Sequence, residues 1–578
     1  MQPSTDQGDG GATALRRWGP IAAIVAVIAI VAVVLVATGG GDDDEESAAT
    51  GGGEDESTEV TTPEGDIVYP FSFTDAEEAG VVDDIDWGER CDTERGRAAV
   101  PYFFAPTCYA PFEGDNGGAT AEGVTADTIK IVWYLGPDND PVINYVTDAI
   151  ANDDTNDDYV ATMEGLIEYY ETYYETYGRS VELIPFVGSG IATDPVAARA
   201  DAVKIAEDIK PFQVWGQPAL TNAFGEELVA RGIQCISCFG GRQEQWEEAE
   251  PFAFGLGLTT DQSRHHNVEW LTKQVAGRNA EHAGDESFRS QERTFGYLYI
   301  ETSEESAENA RRYRDALAEE GVELAEMVPY RLDPATLQET AANAIAKLKQ
   351  AGVTSVIFAG DPVAPRDFTR EATKQGYFPE WILNISTLVD TNVFARTYDQ
   401  EQWRNAFGLT ALAARVPEDK GGMFNVYRWF HGEDPAADNS IGVIFPQPAL
   451  FYAGLQEAGP NLTHEGFRDA LFRNPPTQRA LTAPSLSYGD KGIWPGVTKD
   501  FQGIDDVTTI WWDPDAVGRD ELRREAAGMW QFVDGGRRYL PGEWPETDTK
   551  AFDPDGAVDM YDEVPEEERV GDYEPVRR

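Results

Sequence analysis

A catalytic or metal site needs histidines, cysteines or paired carboxylates at workable spacings, and this chain offers few. Its five histidines include the adjacent pair His265 and His266 at the predicted start of a helix. Neighbours on a helix point about 100° apart, so the pair chelates a metal poorly and is expected at the surface. Asp154, Asn156 and Asp158 alternate like the opening of a calcium loop, but the Gly and closing Glu of an EF-hand are missing. H-E-x-x-H, G-x-S-x-G and the Walker loop do not occur. No cofactor and no metal are expected, and the chain is not read as an enzyme.

The four cysteines fall as Cys91 with Cys108 and Cys235 with Cys238. A zinc ribbon needs two C-x-x-C knuckles, and only the second pair has that spacing. A thioredoxin-like motif opens a helix, whereas Cys238 runs into Phe239-Gly240-Gly241, a loop signal. A structural disulfide is expected for Cys91 and Cys108, closing a loop worth about 3 kcal/mol. Cys235 and Cys238 are either bridged or two buried thiols.

These residues sit in alternating strand and helix signals. Residues 129–135 form a continuous apolar strand, followed by a helix near 159–177. Tyr169, Tyr170, Tyr173, Tyr174 and Tyr177 share a broad stripe of that helix, read as packing. A strand at 181–187 follows, then a helix opened by Asp194-Pro195 as N-cap and first-turn proline, ending before Pro211. Strands at 212–215 and 234–237 flank another helix. A second round begins after Asp261, with a strand at 294–300 and a helix at 304–319. Asp333-Pro334 repeats the cap signature, and Leu337, Ala341, Ala344, Ile345 and Leu348 mark one helical face. A strand at 353–359, a helix at 366–375 and a strand at 381–385 complete the round. Two α/β rounds predict two similar lobes, each a parallel sheet flanked by helices.

Parallel sheets bind ligands beyond the carboxyl ends of their strands. The candidate ligand-binding residues are therefore Pro137, Asp138 and Asn139, then Gln217, Ala219 and Leu220, then Phe239, Gly240 and Gly241 in the first round. In the second they are Ser303, Asp361, Pro362, Ser386 and Thr387. Glycines 240 and 241 let backbone N–H groups approach a ligand, or make an ordinary turn. Arg242 and Arg366 each follow a candidate loop and either clamp an anion or serve as salt-bridge partners.

The run GVTADTIKIVWYLG at 123–136 resembles the opening of substrate-binding proteins of ABC importers, the branched-chain amino-acid and amide type with the type I periplasmic-binding fold. The likeness continues in order to about Asp513, through FYAGLQEAG at 451–459 and SYGDKG at 487–492. It implies three inter-lobe crossings, with lobe 1 at 123–258 and 441–482 and lobe 2 at 259–440 and 483–541. It also implies a small polar solute, an amino acid, amide or related molecule, captured in the cleft and passed to a membrane permease. The acid with which that family holds an α-ammonium is absent after 381–385, where Ser386 and Thr387 stand and the nearest acid is Asp390. Asp361 either takes that cation role or caps the next helix.

Composition and the ends bound the rest. A chain of 578 residues suits two lobes plus appendages, and 41% hydrophobic content with 14 Trp, 23 Tyr and 27 Phe supplies a core. A formal charge of −58 excludes nucleic acid as a partner, because phosphates are repelled. Residues 1–18 carry Arg16 and Arg17 ahead of an uncharged run within 19–38, read as a single-pass signal anchor of a membrane-anchored variant with the body exported. A cleaved signal and a secreted body is the alternative. Residues 39–86 read as an acidic Gly-rich linker, 87–122 as a disulfide-pinned extension, and 542–578 as an acidic solvated tail. The alternative to transport is a non-enzymatic sensor or receptor ectodomain on the same fold.

Overall fold

The computed structural model describes residues 67–577 apart from Ala219, Phe239 and Thr387. The expected signal anchor and the linker up to residue 66 lie outside the described residues.

A small antiparallel ladder, β1 (Cys91–Asp92) and β2 (Arg97–Ala98), precedes the first sheet. That sheet holds β3 (Thr128–Leu135), β4 (Ser180–Val187), β5 (Gln213–Trp215), β6 (Gln234–Ile236) and β7 (Ala253–Phe254), in the order β4-β3-β5-β6-β7. All its pairings are parallel. The apolar run of β3 lies next to the β4 edge strand and is buried almost throughout, as a strand covered on both faces must be. Gly123 opens the segment at φ +75°, where a Cβ would stand 2.2 Å from the Phe212 backbone nitrogen. Only glycine lets those two backbones approach so closely.

The second sheet holds β8 (Phe295–Ile300), β9 (Leu324–Tyr330), β10 (Ser355–Ala359), β11 (Glu380–Asn384), β12 (Ala406–Thr410), β13 (Thr508–Arg519) and β14 (Glu525–Phe532). Its order is β14-β13-β12-β11-β10-β8-β9. The five strands from β8 to β12 are parallel, but β13 and β14 run antiparallel, so this sheet is mixed rather than wholly parallel. Arg293 and Glu380 form a fully buried two-point ion pair at 2.7 and 3.0 Å, and Ser355 donates to the same carboxylate at 2.6 Å. Breaking one partner of such a pair typically costs about 3–5 kcal/mol. The helix Glu304–Glu319 has the predicted bounds. The Asp333-Pro334 signature does not open its helix: Leu337–Gln350 starts later, while Asp333 accepts from Ala335 N at 3.0 Å in the turn ahead of it.

The chain passes between the sheets three times. After β7 it enters the helix Thr260–Trp270, which packs on Glu304–Glu319 beside the second sheet. After β12 it returns, and the Gly422–His431 helix lies against Asn156–Tyr173, with the Tyr169 and Phe430 rings 5.7 Å apart. The second crossing therefore falls before Gly422, not at the expected 440/441 boundary. The helices Pro446–Ala458 and His464–Arg473 cover the first sheet through Trp215–Phe451 (5.5 Å) and Phe254–Phe467 (5.7 Å). The third crossing leads into β13. Arg538 joins two crossings, pairing with Asp506 at 2.7 Å and donating to Ala411 O and Leu412 O at 2.9 and 2.6 Å.

Both ends differ from their compositional reading. Residues 67–86, expected as linker, belong to the folded extension: Ser72 caps the Phe73–Ala79 helix, and Phe73 N donates to Cys108 O at 2.8 Å. Phe73, Ala76 and Trp87 bury a small core of their own beside the Cys91–Cys108 disulfide. The second cysteine pair, Cys235–Cys238, is also bridged and lies inside the first lobe. The tail, expected to be solvated, is packed: Trp544 and Ala551 are buried, and Phe552 sits against His282, Phe407 and Trp511. Single aromatic anchors do this within an acidic average. His266, expected at the surface, is buried, with Nε2 3.1 Å from Asp505 O; burial holds its pKa down at about 3.

Candidate functional site

Each lobe winds its parallel strands as 2-1-3-4-5, so the chain leaves its first strand in one direction and its third in the other. The crevice at that reversal is where such sheets bind ligands. In lobe 1 it lies between β3 and β5, at the loops 136–140 and 216–222. In lobe 2 it lies between β8 and β10, at 301–303 and 360–363.

Contacts across the gap show that these crevices face each other. Arg366, on the helix Ala364–Lys374 after β10, donates to the Tyr145 hydroxyl on the helix Pro141–Ile150 after β3. Its guanidinium lies 5.1 Å from the Tyr145 ring centre. Arg242, after β6, reaches to 3.8 Å from Glu305, in the first turn of the helix after β8. At the rim, Arg524 from the β13–β14 turn donates to Ile150 O and to Ala151 O (2.7 Å), at the carboxyl end of a lobe 1 helix. A cation there complements the helix dipole.

Most predicted site residues turn out to build the loops. Asp361 is buried, accepts from Val363 N and Ala364 N at 2.9 Å each, and receives the Tyr330 hydroxyl at 2.7 Å. Its carboxylate engages the N–H groups of Val363, the N-cap of the Ala364–Lys374 helix, and of Ala364, so both oxygens are committed within the loop. Burial raises its pKa against the pull of those donors. Ser386 ties two loops together, donating to Phe358 O at 3.0 Å and accepting from Gly360 N at 3.3 Å. Ser303 is the N-cap of Glu304–Glu319, and Pro362 O accepts the Tyr398 hydroxyl. Gly240 O accepts from Asn222 at 2.9 Å. Leu220 N donates to Ala192 O at 3.0 Å. Asp138 is exposed and accepts from Asn156 at 2.8 Å; Asn139 is exposed and Pro137 half-buried. Asp158 pairs with Thr155 in a capping box, and Asp154 accepts from Asn439 at 3.1 Å. Ala219, Phe239 and Thr387 lie outside the described residues.

Gln217 is different. It is 0% exposed, at the switch point of lobe 1, and among the described residues neither its amide nitrogen nor its amide oxygen has a hydrogen-bond partner. Such a group costs about 1–3 kcal/mol unless something pairs with it. Opposite, Glu305 is 1% exposed, and burial pushes its pKa up to about 7 despite the nearby Arg242. Asp390, behind the β11 loop, accepts the Thr410 hydroxyl with one oxygen, the other having no partner among the described residues, and rises to about 7 for the same reason.

Sequence reasoning missed Tyr145 and Asp140, and took in Glu305 only as part of the strand-end loop 303–306. Asp140 caps Pro141–Ile150, accepting from Val142 N at 2.9 Å, and also receives Ala192 N from the loop after β4 at 2.5 Å. The Asp140-Pro141 opening, the same signature as Asp194-Pro195, could have signalled the cap. Glu305 reads in sequence as one more acid in a first helical turn, and nothing local reveals its burial.

No family model matches the chain, and no curated protein matches it. Solved structures do. One is a solute-binding protein of an ABC transporter from Rhodopseudomonas palustris BisB5, in complex with 3,4-dihydroxybenzoic acid: 14% identity, 70% of this chain and 97% of that one, TM-score 0.47. Another is an ABC transporter substrate-binding protein from Sphaerobacter thermophilus, at 12% identity, 73% and 100% coverage and TM-score 0.49. A third is the branched-chain amino acid transporter substrate-binding protein LivJ from Streptococcus pneumoniae with isoleucine, at 13% identity, 70% and 100% coverage and TM-score 0.46. Likenesses this distant add no weight to the chain's own geometry.

Proposed function

We propose that this chain is an exported solute-binding protein that captures a small polar molecule between its lobes and presents it to an ABC importer in the membrane. The carrying observation is the pair of 2-1-3-4-5 switch points facing across one gap, with the buried Gln217 amide, unpaired among the described residues, just past the end of β5. The work is binding and closure: contacts made to both lobes favour the closed arrangement over the open one. The uncharged run within residues 19–38 serves as the tether that keeps the body beside its permease.

A thermal-shift screen of the exported body against amino acids, amides, polyamines, sugars and aromatic and aliphatic acids tests this. A solute at 100 times its Kd adds about 2.7 kcal/mol to stability. The expected result is at least one such shift, with a smaller radius of gyration in solution scattering when that solute is present. A stabilising solute that leaves the scattering unchanged argues against capture by closure.

A further inference from the structure

We propose that residues 551–577 form a strap that restrains opening of the two lobes, a fourth connection across the hinge beside the three crossings. The segment is held at three stations in turn. In lobe 2, Phe552 packs on Phe407 and Trp511, and Val558 pairs with Phe532 through backbone hydrogen bonds of 3.0 and 2.7 Å. At the hinge, Tyr561 N donates to Arg415 O on the second crossing at 2.8 Å. Seven residues later the buried Glu568 carboxylate accepts Leu481 N at 2.6 Å and the Thr482 hydroxyl, both on the third crossing. In lobe 1, Tyr573 O accepts from Trp429 Nε1 at 2.7 Å, and Val576 N donates to the Tyr173 hydroxyl at 3.0 Å. The Tyr573 hydroxyl also meets Asp92 and Arg95, at 2.6 and 2.8 Å, next to the disulfide-pinned Cys91.

Hinges open through dihedral changes at a few residues of the connecting segments. Here two of the three crossings are hydrogen-bonded to a segment that is itself anchored in both lobes. Neither can rotate without breaking those bonds or sliding the strap. The restraint concerns the lobes alone and is independent of what the cleft binds.

The test uses the full chain with a site-specific protease sequence inserted between Asp562 and Glu563, both exposed, and cut after folding. Spin labels go on Asp208→Cys and Glu319→Cys, exposed and at the ends of helices remote from the cleft. All four described native cysteines are in disulfides, so labelling is specific. Pulsed dipolar spectroscopy is run with no added solute on the uncut protein, the cut protein, and a cut protein carrying Glu568→Gln and Tyr573→Ala to release the 563–578 peptide. The expected result is an interlobe distance distribution at least twice as wide after cutting, in the released form if not in both, with unchanged far-ultraviolet circular dichroism. A distribution as narrow as the uncut one in both cut forms overturns the proposal. Loss of the dichroism on cutting also overturns it, because the segment would then be part of a lobe's fold and not a restraint between lobes.

Discussion

Gln217 and Asp361 occupy equivalent positions, each just past a strand at a switch point, yet they do opposite things. Asp361 spends both oxygens on Tyr330 and two backbone N–H groups, whereas Gln217 spends neither amide atom on any of the described residues. Replacing Gln217 by Leu removes an unpaired buried polar group, so the melting temperature should hold or rise. Affinity for a solute found by screening should fall at least tenfold, about 1.4 kcal/mol. A lower melting temperature with unchanged affinity in titration calorimetry would reject the binding role. Asp361→Asn should behave in the other sense. Asn caps nearly as well as Asp but accepts one hydrogen bond fewer, so urea unfolding should report a loss of about 1 kcal/mol, with affinity unchanged. At this scale the sequence located the loops but not the roles. Strand ends follow from apolar runs such as 129–135, while which side chain is satisfied depends on partners such as Tyr330 that are distant in the chain.

Among the elements, those read most accurately carried their own punctuation. Ser303 ahead of Glu304–Glu319 and Asp194-Pro195 ahead of Pro195–Lys204 each cap their helix with their own side chain. Strands β7, β12 and β14 were not legible as such, being short, or held by pairing across the sheet rather than by local pattern. The tail misled because its composition averages over a few aromatic anchors: Trp544 is buried, the half-buried Phe552 packs on Trp511, and the half-buried Tyr573 bonds to Asp92. Two predictions belong here. Gly123→Ala places a Cβ against the Phe212 backbone in a conformation alanine avoids, and should cost more than about 2 kcal/mol in chemical denaturation; a neutral result would mean that the opening of β3 moves freely away from β5. Replacing Cys91 and Cys108 together by Ala should cost about 3 kcal/mol, by the loop-closure argument. Because the extension has its own small core, the loss should appear as a separate early transition in hydrogen exchange of residues 71–110. One cooperative shift of the whole chain would instead mean that the extension and lobe 1 unfold as a unit.

The molecule as a whole buries acids in an already acidic chain, and this fixes the sign of its response to pH. Glu305, Asp390 and Asp505 are pushed by burial to about 7, and Asp154 to about 6. Each has a folded pKa above its unfolded value near 4, so its contribution to stability is complete below about pH 4 and is lost as pH rises through 6 to 7. The four lie at the hinge, in the cleft and beside Asn439, so the effect is spread over the molecule rather than confined to one lobe. His266 works against them. Its pKa is depressed to about 3, so its stabilising contribution is present above about 6.5 and is lost as pH falls. The carboxyls raised by burial, Asp361 and Asp500 among them, outnumber this histidine, so stability falls as pH rises from the acid side of neutrality toward pH 8. Self-repulsion in a chain of formal charge −58 acts in the same direction, growing as the last carboxyls ionise. The melting temperature should therefore be several degrees higher at pH 5.5 than at pH 8. Salt should narrow the gap by screening the surface charges while leaving the buried groups' share in place. Differential scanning calorimetry at both pH values, at low salt and at 0.5 M NaCl, separates the two terms. A gap that vanishes in salt assigns the whole effect to surface charge, and a higher melting temperature at pH 8 would contradict the burial of these acids in the folded protein.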